Sequence, residues 1–284
     1  MGGNPRKRLK PAWPKPLTGT SPTMPGSSLS RAAPTKPTTT LNMPPHKAWA
    51  IIPARMGSTR LPGKPLADIA GKPMIQHVWE RVSEVLPTFV ATDDERIAQV
   101  VEAAGGTVIL TSPNCVNGTH RVAEALHILA EQGQTLPGIV LNIQGDEPLV
   151  SPQDIVSLLN LMLRDDVQIG TLVTPAKPGD AESGTKAFAD KTPDGRCHAF
   201  SRNPACCAIQ AWRHVGMYAF KTHLLPELVA LPETENEIRE RLEQVRWLDH
   251  GYAIYAAEVK AAGIGVDSPE DLEKVRILAG KLEG

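Results

Sequence analysis

From residue 48 onward, short apolar runs alternate with stretches of helical period, and that alternation confines the chain to a mostly parallel sheet covered by helices. Strands are expected over residues 48–53, 88–92, 107–111, 138–143, 168–174, 215–220 and 253–259. Between them, Met74, Val78 and Val82 share one helix face and Val122, Leu126 and Leu129 another, at three- and four-residue spacing. Two further helices mark their own first turns. Ser151-Pro152-Gln153-Asp154 and Ser268-Pro269-Glu270-Asp271 each supply a capping hydroxyl, a proline at the first helical position and an acid at the third. In an open α/β sheet the ligand crevice lies beyond the carboxyl ends of the strands, which singles out the acids just ahead of these helices, Asp146 and Asp267. The expected fold class is α/β, a doubly wound, mostly parallel (mixed) sheet.

Residues 1–46 read differently. They are rich in Pro, Ser, Thr and Gly, and they carry Arg6, Lys7, Arg8, Lys10, Lys15, Arg31 and Lys36 without a single Asp or Glu. Lacking an apolar period, such a segment cannot bury enough surface to offset the entropy of ordering, so a disordered extension over 1–46 is expected ahead of one domain over 47–284. A targeting peptide, a nucleic-acid-binding arm and a solvated leader compete for it. Pro11, Pro14, Pro16, Pro22, Pro25, Pro34 and Pro37 break the amphipathic helix of a transit peptide, which favours the leader, with Met43 expected as the true start.

Taking those seven from the chain's 30 lysines and arginines leaves 23 against 31 acidic residues, so the remainder is acidic by about eight charges. An acidic body does not fit a nucleic-acid binder. No run of 18 apolar residues is present to span a membrane. The four cysteines, Cys115, Cys197, Cys206 and Cys207, form no C-x-x-C pair, so neither a zinc motif nor a secreted disulfide framework is indicated. Free thiols in the cytoplasm are expected.

The first strand runs into Arg55-Met56-Gly57-Ser58-Thr59-Arg60-Leu61-Pro62-Gly63-Lys64-Pro65. Small residues let successive backbone N–H groups of Gly57, Ser58 and Thr59 face one anion, while Arg55, Arg60 and Lys64 distribute positive charge along a chain of phosphates. The loop is not a P-loop, because G-x-x-x-x-G-K-[ST] is absent, and no G-x-G-x-x-G opens the first helix as a dehydrogenase would require. On composition alone, a phosphate cradle and a basic surface turn are equally good readings.

The spacing of this loop after a first hydrophobic strand resembles the signature of the Kdo (3-deoxy-manno-octulosonate) cytidylyltransferases, among the sugar-activating nucleotidyltransferases. Further segments agree in order: Val90-Ala91-Thr92-Asp93, Asn117-Gly118-Thr119, Asn142 to Pro148, Phe200-Ser201-Arg202, Arg213 to Tyr218, Leu242 to Arg246 and Gly265 to Leu272. The resemblance covers residues 48–280. It implies a fold of the nucleotide-diphospho-sugar transferase type, a homodimer, and a reaction in which the anomeric hydroxyl of an acidic eight-carbon sugar attacks the α-phosphorus of CTP and releases pyrophosphate, for lipopolysaccharide-type glycan synthesis.

The resemblance also distributes roles. Arg55, Lys64, Asp146 and Asp267 become catalytic, with Asp146 and Asp267 holding Mg2+, a cation that takes one or two carboxylates beside phosphate oxygens and water. Ala54, Arg55, Gly57, Ser58, Thr59, Lys64, Asn117, Gly118, Arg121 and Gln144 become nucleotide-binding. Arg202, His214, Tyr218, Glu243 and Gln244 become sugar-binding; Tyr218 reads equally as core and Glu243 as a surface acid. The apolar stretch 215–220 reads either as dimer interface or as core. Two departures stand out: His120 occupies a position where the family usually has an acid, and only ten residues separate Arg202 from Arg213. An 8-amino analogue of the sugar, a sialic acid, and a non-catalytic nucleotide-binding role on the same scaffold are the competing readings.

Overall fold

The structure is a computed structural model that describes residues 47–58, 60–184, 186–207, 210–261 and 263–282. The expected extension over 1–46, the start at Met43 and the contribution of Thr59 lie outside the described residues.

In chain order the elements are β1 (Ala48–Ala54), the short strands β2 (Asp68–Ile69) and β3 (Lys72–Pro73), α1 (Met74–Ser83), β4 (Thr88–Thr92), α2 (Glu95–Ala103), β5 (Thr107–Leu110), α3 (Gly118–Glu131), β6 (Ile139–Asn142), α4 (Pro152–Leu161) and β7 (Ile169–Pro175). There follow β8 (Phe188–Lys191), β9 (Arg196–Ser201), β10 (Trp212–Lys221), α5 (Leu225–Ala230), α6 (Glu235–Glu240), α7 (Glu243–Asp249), β11 (Ile254–Glu258) and α8 (Pro269–Leu282). Among the described residues, nine strands form one mixed sheet in the order β5-β4-β1-β6-β10-β7-β11-β9-β8. β1 is parallel to both β4 and β6, β7 is parallel to β11, and β10 runs antiparallel between β6 and β7.

Alternation along β1 explains the layering. Ala50 and Ile52 pack with α1, α2 and α4 on one face, while Ile51 packs with α3, α5 and α7 on the other. Both isoleucines are fully buried, each contributing roughly 1.5–3 kcal/mol. Both helix stripes are buried as expected, except that Met74 leaves the company of Val78 and Val82 for a third cluster with Ile69, Val266 and Leu272 beneath α8. Ser151 caps α4 through Gln153 N–H, and Ser268 accepts from Asp271 N–H at the head of α8. No helix among the described residues is long and apolar enough to cross a membrane. Cys115 and Cys197 are free thiols.

All seven expected strands are present within a residue or two, apart from β10, which begins three residues early. Two strands of the sheet were not anticipated. β8 and β9 form a hairpin whose turn, Thr192 to Gly195, closes with Gly195 at φ +93 and with its N–H donated to Thr192 O. Its signal was the Asp194-Gly195 pair, a strong hairpin marker. The stretch 215–220 lies inside the sheet between β6 and β7, which places it in the core and not on an open surface.

Candidate active site

The chain passes outward from β1 to β4 and β5, then returns to place β6 on the other side of β1. At that reversal the loops leaving β1 and β6 part and open a crevice at the carboxyl ends of the strands. Its volume is about 430 Å³, and its walls carry Ala54, Arg55, Gly57, Ser58, Lys64, Asn117, Gly118, Arg121, Gln144, Asp146 and Asp267, joined by Arg60, Cys115 and Val116. Every described residue expected to act on nucleotide or metal is therefore on one surface. A second depression, of about 400 Å³ and bounded by Trp79, Val85 and Gly106, lies at the opposite ends of β4 and β5 and gathers no comparable set of charges.

Lys64 stands at the centre of the charge. It follows Gly63, whose φ of +71 turns the chain, and its Nζ donates to Asp146 Oδ2 at 2.7 Å and to Asp267 Oδ1 at 3.3 Å. Arg60 adds a third contact, 3.4 Å from Asp267 Oδ1. The two acids are 121 positions apart in sequence, and a backbone bond from Val266 N–H to Asp146 O, 2.9 Å, draws their segments together. Gly145 lets the β6 loop lie against the end of β1, because a Cβ there would meet the Pro53 carbonyl at 3.0 Å. Two carboxylates thus converge on a single cation position, held here by an ammonium, and oxygen donors so placed suit a hard divalent ion.

The anion cradle differs from expectation in one respect. Ser58 N–H is donated to Met56 O at 2.9 Å, closing a three-residue turn over Gly57, so it is not aimed at a ligand. Ser58 Oγ in turn accepts from Leu61 N–H. Arg121 is nearly inaccessible at 3% exposure; it donates to Thr111 Oγ1 at 2.6 Å and to Asp93 Oδ2 at 3.2 Å, so its charge reaches the crevice already paired. That makes Asp93 and Thr111 part of the site, although only Asp93 stood within a recognised segment.

A chain of hydrogen bonds links the β6 loop to α7. Gln144 Nε2 donates to Asn142 Oδ1, Asn142 Nδ2 to Thr119 Oγ1, and Thr119 Oγ1 to Glu243 Oε2 at 2.7 Å. Asn117 Nδ2 donates to the other oxygen of Glu243, also at 2.7 Å, while Asn117 Oδ1 caps α3 by accepting from His120 N–H. Burial pushes the Glu243 carboxyl up to about 7, against the lowering effect of its bonds to Thr119 and Asn117 and of the Arg246 charge. Asn142 and Thr119 stood within recognised segments but were given no role, because their bonds to each other and to Glu243 join distant stretches of the chain.

The five expected sugar-binding residues do not line the crevice but adjoin it. Arg202 feels the charges of Asp267 and Arg60, and it donates to the Glu240 and Arg241 carbonyls at 3.4 and 3.3 Å. His214 lies behind it. Thr171 donates its hydroxyl to Met217 O at 2.8 Å, so it accepts from His214 Nε2–H at 2.9 Å, and burial beside Arg202 pushes this imidazole down to about 3. Tyr218 stands edge-on to Trp247 with ring centres 5.2 Å apart and is almost wholly buried. Gln244 is buried with Nε2 unbonded among the described residues.

A crevice that combines a cationic loop with converging carboxylates at the sheet's switch point belongs to the class of α/β proteins that handle polyphosphate ligands. A family model described as cytidylyltransferase matches residues 49–259. The 3-deoxy-manno-octulosonate cytidylyltransferase of Myxococcus xanthus is 42% identical over 81% of this chain and 95% of its own length, and the protein of that description from Escherichia coli is 43% identical over 82% and 96%. The solved structure of a CMP:2-keto-3-deoxy-manno-octonic acid synthetase complexed with CTP superposes with a TM-score of 0.77 at 39% identity, covering 83% of this chain and 99% of that one. The chain belongs to the cytidylyltransferase family, among the 3-deoxy-manno-octulosonate cytidylyltransferases.

Proposed function

We propose that this enzyme transfers CMP from CTP to the anomeric hydroxyl of Kdo, giving CMP-Kdo and pyrophosphate, with Mg2+ held by Asp146 and Asp267. The observation that carries the reading is the meeting of Lys64, Asp146 and Asp267 beside the Arg55–Arg60 loop. Mg2+ held there would neutralise charge on the phosphate oxygens. Lys64, Arg55 and Arg60, all on the crevice wall, would add positive charge beside the triphosphate. Asn117, Gly118 and Gln144 hold the nucleoside on the opposite wall. Arg202 takes the sugar carboxylate, and neutral His214, Tyr218, Glu243 and Gln244 form the floor beneath the hydroxyls.

The finer assignments belong to the same proposal: a doubly wound sheet of the nucleotide-diphospho-sugar transferase type, a cytoplasmic homodimer, and a role in lipopolysaccharide-type glycan synthesis. Pyrophosphate release by the purified protein with Mg2+ and CTP tests the reaction, comparing Kdo, its 8-amino analogue, a sialic acid and no sugar. Release with Kdo alone is expected. Release with another sugar moves the specificity, and none with folded protein removes the catalytic reading.

A further inference from the structure

The turn between β5 and α3 gathers three side chains that the proposed reaction does not use. Cys115 lies in that turn, and His120 and Glu124 stand one helical turn apart on α3, four residues apart and therefore on one face. One ligand atom from each of the three lies within 4.8 Å of the other two. Cys115 Sγ donates to Glu124 Oε2 at 2.9 Å, and Glu124 Oε1 accepts from Ser112 N–H at 2.6 Å, which fixes the carboxylate's orientation. His120 Nδ1 is sealed from solvent and has no hydrogen-bond partner among the described residues. His120 thus stands beside a thiol and a carboxylate with one sealed ring nitrogen unbonded, which is costly for a folded protein, and a coordinated ion is one way to satisfy the ring.

We propose that Cys115, His120 and Glu124 form a binding site for a divalent transition metal of the zinc type, separate from the Asp146 and Asp267 pair. Sulfur, nitrogen and oxygen together select zinc or its neighbours, whereas magnesium takes oxygen ligands. A tetrahedral ion spaces its ligand atoms about 3.5 Å apart, so rotation of the three side chains closes the set. On binding, the Cys115 thiol proton leaves to solvent, Glu124 exchanges that hydrogen bond for the metal while keeping the one from Ser112, and a fourth position is left for water. The spacing hid the site from the sequence, since these ligands come from a turn and a helix face and form no C-x-x-C pair. Cys115 and the adjoining Val116, Asn117 and Gly118 line the crevice, so the ion would tether one of its walls. None of this depends on which sugar the enzyme uses.

Cobalt(II) titration of the metal-free, full-length protein tests the proposal, with cobalt standing in for zinc. A thiolate-to-cobalt charge-transfer band is expected in the near ultraviolet, saturating at one equivalent, resisting excess magnesium and erased by zinc. Cys115→Ser should abolish the band, and His120→Gln and Glu124→Gln should each weaken cobalt binding at least tenfold, while Cys197→Ser and Asp146→Asn retain it. Absence of the band in the unaltered protein overturns the proposal, as does its persistence in folded Cys115→Ser. Should that variant fail to fold, unchanged cobalt affinity in both His120→Gln and Glu124→Gln overturns it equally.

Discussion

Lys64 Nζ lies 2.7 Å from Asp146 Oδ2, so a residue of the phosphate loop and one of the β6 loop, 82 positions apart, are ion-paired across the mouth of the crevice. If Asp146 is a metal ligand, replacing it by Asn keeps the shape and removes the charge. The rate of pyrophosphate release at saturating CTP and Mg2+ is then expected to fall at least about 100-fold, the scale on which a single transition-state contact acts. Lys64→Met should show a loss of similar size in the rate constant. A folded Asp146→Asn protein turning over at the normal rate would remove the assignment.

Glu243 makes a prediction about pH. Burial holds its carboxyl at about 7 against an ordinary 4.5, so the native state takes up this proton more readily than the unfolded chain does. The sign follows: its contribution is fully present below about 4.5 and is lost as pH rises through about 7. Glu243→Gln is expected to flatten that part of the stability profile. Urea titrations at about pH 5 and about pH 8 measure it, and an identical pH slope in the two proteins contradicts the assignment.

His214 acts in the opposite sense. Burial, with the Arg202 charge nearby, depresses its imidazole to about 3 from an ordinary 6.5, so the unfolded chain binds the proton first. Stability from this residue is present above about 6.5 and is lost as pH falls toward about 3. His214→Gln should weaken the acid sensitivity of unfolding between those limits, and an unchanged acid limb would show that the ring is not held neutral.

Arg246 and Glu237 form a two-pronged pair, Nε to Oε2 and Nη2 to Oε1, both 2.6 Å, with exposures of only 6% and 9%. Removing Glu237 leaves the buried guanidinium only the exposed Glu233 at 3.8 Å and the Leu231 carbonyl, so Glu237→Leu alone is expected to cost about 3 kcal/mol, the low end for a broken buried pair. The double variant Glu237→Leu with Arg246→Met should recover most of it. Denaturant midpoints of the three variants decide; a double variant as unstable as the single one would mean that lost packing, not the stranded charge, sets the cost.

The sequence made the fold legible wherever periodicity was strong. The strands over 48–54 and 169–175 are apolar enough to stand out, and the capping triplets at Ser151 and Ser268 locate two helices to the residue. Phe188–Lys191 and Arg196–Ser201 escaped because charged residues interrupt them, Asp190 and Lys191 in the first and Arg196 in the second, leaving only the turn at Asp194 and Gly195 to mark them. The crevice was legible through its charged residues. Less visible were the neutral links, Asn142 and Thr119, and the use of the Ser58 N–H inside its own turn, since hydrogen-bond direction has no compositional signature. The pairing of Cys115 with Glu124 was hidden for a related reason: it depends on how one turn meets one helix.

The carboxylate of Glu243 is shared between the start of α3, through Asn117 and Thr119, and the start of α7, where it resides. Mechanically this is a cross-tie between two levers. Neither helix end can swing without dragging the other or breaking two short bonds at once, so in the proposed binding mode a tightening of the nucleotide wall would travel rigidly to the residues proposed to meet the sugar.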